Sequence, residues 1–85
     1  MNNLIFDYVG DVNYKYPYIY IYHMEDQQPF MEIGITDEKE LVFTIFSRNH
    51  EVKIPLGEWE KILHAAEEFL PKALANEAAF EIDHT

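Results

Sequence analysis

The chain has 85 residues, 16 of them Asp or Glu against six Lys or Arg, for a formal charge of −10. That sign repels nucleic acid and anionic membranes and steers cationic partners toward contact. The absence of cysteine removes disulfide staples, thiolate metal sites and thiol catalysis.

Hydrophobic residues make up 48% and aromatics 15%, too many for an acidic disordered polymer. The length predicts a single domain over 1–85. The acids are spread rather than gathered in a tail: residues 1–57 and residues 58–85 each carry a net −5. Met1 to Asp7 lacks the basic start and long apolar run of a signal peptide. Nothing approaches the roughly 20 apolar residues that a bilayer span needs. A cytoplasmic protein with no membrane contact is the expectation.

In chain order, residues 3–9 predict a short strand ended by Gly10-Asp11. Tyr16 to Met24 is rich in aromatic and β-branched residues and predicts the clearest strand, with Pro17 near its start, where a missing donor is tolerable. Glu25 to Pro29 is a polar turn. Phe30 to Thr36 alternates, with Met31, Ile33 and Ile35 on one side and Phe30, Glu32, Gly34 and Thr36 on the other. Asp37 to Glu40 turns again. Leu41 to Ser47 predicts a strand with Leu41, Phe43 and Ile45 inward, then Arg48-Asn49-His50 a turn. Glu51 to Leu56 predicts a last strand with Val52, Ile54 and Leu56 inward.

The period then changes to three and four over Trp59, Ile62, Leu63, Ala66, Phe69, Leu70, Ala73 and Leu74, the stripe of an amphipathic helix. That helix is expected over about 58–76, kinked or split at Pro71, and followed by a loosely held tail over 80–85. Short turns between successive strands imply an antiparallel meander. The fold class is α+β: a four- or five-stranded meander over about 3–56, packed on one C-terminal helix.

One helix covers one sheet face. The other is expected to carry Tyr16, Tyr18, Tyr20 and Tyr22 beside Phe30, Val42 and Phe46, with Gly34 leaving room for a ring to lie flat. Such a face is either a wet surface of strand-forming tyrosines or a contact surface, since tyrosine buries much area and keeps a polar tip. Base stacking uses the same residue type.

Catalytic and metal patterns are weak. His64 with Glu67 and Glu68 has helical spacing but offers too few ligands for a site and no HExxH motif. His23 lies at a strand end beside Glu25 and Asp26, but a general base needs a pocket and a partner that the sequence does not show. The acidic turns, Glu25-Asp26 and Asp37-Glu38 with Glu40, do not match a calcium loop. No glycine-rich phosphate loop occurs, and the lone serine, Ser47, lacks a nucleophile-elbow context. The expectation is no enzyme, no cofactor and no metal.

The run from Val52 to Leu63, with its apolar–polar–Leu, acid–Trp and apolar pair, resembles the strand-to-helix join of transcriptional-coactivator and Whirly-type single-strand binders. The resemblance implies that Trp59 seals the sheet–helix corner. Those families line the sheet with Lys and Arg, whereas Tyr, Glu32 and Thr44 stand here. The phosphate-neutralising part of affinity is therefore missing, and nucleic acid is disfavoured as a partner.

In size, acidity, lack of catalytic groups and α+β form, the chain is similar to bacterial immunity proteins of contact-dependent and other polymorphic toxin systems. That resemblance implies a toxin inhibitor that occludes the active site of a basic, nuclease-type toxin domain. Tyr18, Tyr20 and Tyr22 would be anchors, and Glu25, Asp26, Asp37, Glu38 and Glu40 rim charges. Glu60, His64, Glu67 and Glu68 on the exposed helix face form an alternative patch. A homodimeric regulatory domain, paired through the tyrosine face, is the competing expectation.

Overall fold

Strand β1 (Leu4–Val9), strand β2 (Tyr18–His23), strand β3 (Met31–Ile35) and strand β4 (Leu41–Ile45) precede one long helix, α1 (Leu56–Asp83). The computed structural model describes the backbone of residues 4–47 and 51–83, and side chains through Ala75. All neighbouring strands pair antiparallel in the order β1-β2-β3-β4. The chain is thus a four-stranded meander packed with one C-terminal helix, an α+β fold.

Register decides which side chains share a face. Phe6, Ile21, Met31 and Ile45 form one cross-strand row, and Tyr8, Ile19, Ile33 and Phe43 the next. These rows face α1. Ile19, Ile21, Met31, Ile33 and Ile62 are fully buried there, with Ala66, Phe69 and Ala73 beside them. Each fully buried apolar side chain contributes about 1.5–3 kcal/mol. The helix supplies Ile62, Ala66, Phe69 and Ala73 at the spacing of a single stripe, and the Trp59 ring closes the corner against Phe43 at 6.2 Å between centroids.

The structure corrects several expectations. Glu51 to Pro55 is not a strand. Val52 and Ile54 pack on the core from a segment outside the four strands, so the five-stranded option falls away. Leu56 opens the helix instead of closing a strand and is exposed, and so is Ile45 at the far edge of the sheet. The helix is not split at Pro71 and continues to Asp83, well past the expected end. Pro71 and Glu67, whose carbonyl loses its amide donor, both lie on the exposed side of the helix, open to solvent.

A further correction concerns Phe30. Simple alternation puts it on the tyrosine face, yet it is fully buried in the core. Ile21 already stands opposite Met31. Its carbonyl also accepts from the Phe30 N–H at 2.9 Å, while the Phe30 carbonyl accepts from the Phe46 N–H at 2.9 Å. Two residues, Phe30 and Met31, therefore oppose one, as in a β-bulge, and the alternation slips by one position there. The expected turn at 48–50 lies outside the described residues, as does the end of the tail at 84–85. The backbone at 80–83 belongs to the helix.

Candidate protein-binding face

Away from α1, the even positions of β2 present Tyr18, Tyr20 and Tyr22, all half-buried. Consecutive rings meet edge to face: Tyr14 and Tyr18 at 5.4 Å, Tyr18 and Tyr20 at 5.2 Å, Tyr20 and Tyr22 at 6.5 Å between centroids. Phe46 adds a tilted ring 6.2 Å from Tyr20. Such pairs hold each other in place at about 0.5–1.5 kcal/mol apiece, so the ladder is set before any partner arrives. Tyr16, expected on this face, is instead buried, with the Lys15 ammonium 5.6 Å from its ring centroid.

Carboxylates flank the ladder. Asp7, Tyr20, Glu32 and Thr44 form one cross-strand row. Directly opposed residues share a face with Cβ atoms roughly 5 Å apart, so Tyr20 stands between two acids. Among the described residues, no ring atom comes within 4 Å of where a Cβ would stand at Gly34. A Cβ placed there would meet the Glu32 Oε2 at 3.4 Å and a Val42 methyl at 3.6 Å, so the Glu32 carboxylate leans along β3 over the glycine. Tyr14, Tyr18, Tyr20, Glu32, Gly34 and Asp37 line a depression of about 230 Å³ at this end of the face. Desolvation first, then the neighbouring Tyr20 and Asp11, push the Tyr18 hydroxyl above the ordinary tyrosine range.

The expected acidic residues are not brought together. Glu25 and Asp26 lie on the β2–β3 turn and Asp37, Glu38 and Glu40 on the β3–β4 turn, at opposite ends of the sheet. All five are exposed. Asp37 reaches the tyrosine depression, whereas Glu25 and Asp26 sit beyond Tyr22. Glu67 and Glu68 ride on α1 behind the sheet. There Glu68 pairs with His64 at 3.1 Å, both side chains well exposed, and such a pair is worth little. Among the described residues, no group of His, Asp and Glu is placed to hold a metal ion.

The β3–β4 turn is held by local bonds. The Lys39 N–H donates to the Thr36 carbonyl at 2.9 Å, and the Thr36 N–H donates to the Glu40 carbonyl at 2.8 Å. Lys39 adopts a left-handed φ of 69°, so the loop is a turn followed by a left-handed residue. Asp37, within this turn, lines the depression at that end of the face.

Reasoning from sequence missed Asp7 and Glu32 as site residues. Glu32 carried the signal, since it alternates with core residues. Asp7 did not, because its face depends on the β1–β2 register. A helix that is long and apolar enough to cross a membrane is absent among the described residues. Comparisons with protein families, with characterised proteins and with solved structures find no match for this chain.

Proposed function

We propose that the protein is a small acidic binding protein whose tyrosine face covers a cationic surface of another protein. It would act as an immunity protein acts on a basic, nuclease-type toxin domain, in the cytoplasm, where a chain without cysteine is at home. The row Asp7–Tyr20–Glu32 carries the reading. A pre-set aromatic anchor between two acids offers stacking area and charge at one point, the composition expected of an interface hot spot for a cationic side chain. The charge of −10 supports fast, steered encounter with such a partner.

The same row argues against two copies meeting face to face. A two-fold pairing through the tyrosines would press Asp7 and Glu32 of one copy toward like charges of the other, and −10 against −10 adds long-range repulsion.

Affinity capture from the native host with the full chain tests the proposal. One dominant basic protein, with association slowing as salt rises, supports it. Recovery of the chain alone, with two protomers by sedimentation, replaces it with the homodimer. Saturable capture of a labelled single-stranded oligonucleotide at low salt replaces it with the stacking alternative.

A further inference from the structure

Resting on that reading, we infer that the depression at the Asp37 end of the tyrosine face is a subsite for an arginine side chain of the partner. The glycine at position 34 shapes it: without a side chain there, the Glu32 carboxylate and a Val42 methyl close over the backbone, 3.4 and 3.6 Å from where a Cβ would stand. Asp37 stands at the turn, and the Tyr18 and Tyr20 rings form a wall at 5.2 Å between centroids. Among the described residues, no ion pair engages Asp7, Glu32 or Asp37.

A planar guanidinium suits this arrangement better than an ammonium. It stacks on aromatic faces, donates to a carboxylate in two parallel bonds and is more weakly hydrated. The depression already brings a cation against an aromatic ring, since Lys15 of this chain sits over Tyr16 at its edge. A guanidinium beside Tyr18 would also stabilise its phenolate, reversing the direction in which the free protein holds that hydroxyl.

Backbone-amide NMR of the full chain tests this, with the amidated, acetylated tripeptide Gly-Arg-Gly as probe and its lysine and citrulline counterparts as controls. The expected result is saturable shifts centred on Glu32, Gly34 and Asp37 with millimolar affinity, several-fold weaker shifts with lysine and none with citrulline. Gly34→Ala fills the floor without a clash, its Cβ meeting neighbours at ordinary contact distances. It should weaken arginine binding about tenfold, a change worth ~1.4 kcal/mol, with the thermal unfolding midpoint retained. Glu32→Gln should do the same. Tyr18 should titrate lower with the arginine peptide bound. Equal responses to arginine and citrulline, shifts centred elsewhere, or an unaffected Gly34→Ala variant overturn the subsite. If a basic partner is captured while the peptide fails, only the subsite falls. If no basic partner is captured while the peptide binds, the broader reading falls and the subsite stands.

Discussion

The His23 imidazole lies flat on the Phe30 ring, with centroids 4.4 Å apart and planes 14° from parallel. Its Nε2 comes within 3.9 Å of Glu58 in the first turn of α1, and its Nδ1 within 3.9 Å of Asp26. The end of β2, the bulge before β3 and the start of the helix therefore meet at one stacked pair. Glu58 is only 12% exposed, so this junction belongs to the interior more than to the surface.

Phe30→Ala should therefore cost about 3–5 kcal/mol, the usual penalty for an emptied aromatic site in a core. Phe46→Ala, on the open face, should cost less than about 1.5 kcal/mol, close to the worth of its ring contact with Tyr20. Urea unfolding of the two variants separates these. Similar losses would put Phe30 back on the tyrosine face.

Lys39 holds a left-handed φ that costs a non-glycine residue roughly 1–2 kcal/mol. Lys39→Gly should stabilise the fold by about 0.5–1 kcal/mol after glycine's own entropy is counted. Removing a cation from the acidic β3–β4 turn works the other way. The comparison therefore belongs at about 1 M salt, where the screening length falls to ~3 Å. A lowered unfolding midpoint would contradict the turn geometry.

Pro71 sits inside α1, where proline costs up to about 3 kcal/mol relative to alanine. Pro71→Ala should raise both helical ellipticity and the unfolding temperature, by an amount below that figure because Glu67, whose carbonyl lacks a donor, lies on the solvent-facing side. Loss of ellipticity would mean that the ring makes contacts the helix needs.

Tyr18 is held above the ordinary tyrosine pKa of 10.0. As pH rises past that value the unfolded chain sheds its proton while the folded one keeps it. The native state then binds more protons, and stability falls with pH. The loss begins near the unfolded value and ends once the folded hydroxyl has ionised. Tyr18→Phe should flatten the alkaline limb of a stability-against-pH curve and leave the neutral region unchanged. An identical alkaline limb would show that Tyr18 ionises alike in both states.

For partner binding, Tyr20→Ala should cost 2 kcal/mol or more, the scale of a hot-spot aromatic. Glu67→Lys with Glu68→Lys, behind the sheet, should slow association through net charge and leave dissociation unaltered. Titration calorimetry and stopped-flow kinetics with the captured protein read both. A helix variant that accelerates dissociation would move the interface to α1.

Much of the fold was legible because its periods are clean. The alternation of Tyr18 to His23 and the Trp59–Ala73 stripe each specify a face without tertiary help. What escaped depended on contacts distant in sequence. The bulge at Phe30 shows only as an extra bond to Ile21, and its reading as an alternating residue was natural and wrong. Val52 and Ile54 alternate like a strand, but no partner edge receives them. The tyrosine anchors were visible by type. The acids that complete the face, Asp7 and Glu32, needed the pairing register before they stood beside Tyr20. The two acidic turns looked like one rim in sequence and are separated by the length of the sheet.

Sheet order that follows chain order has a kinetic consequence. Each hairpin closes over a short loop, so the entropy of bringing partners together is small at every step. The sheet can assemble by zipping outward from any one hairpin, leaving the docking of α1 as the longest-range event. Refolding of such a chain should be fast and single-exponential, with the helix stripe, not the strands, governing how quickly the native state is reached.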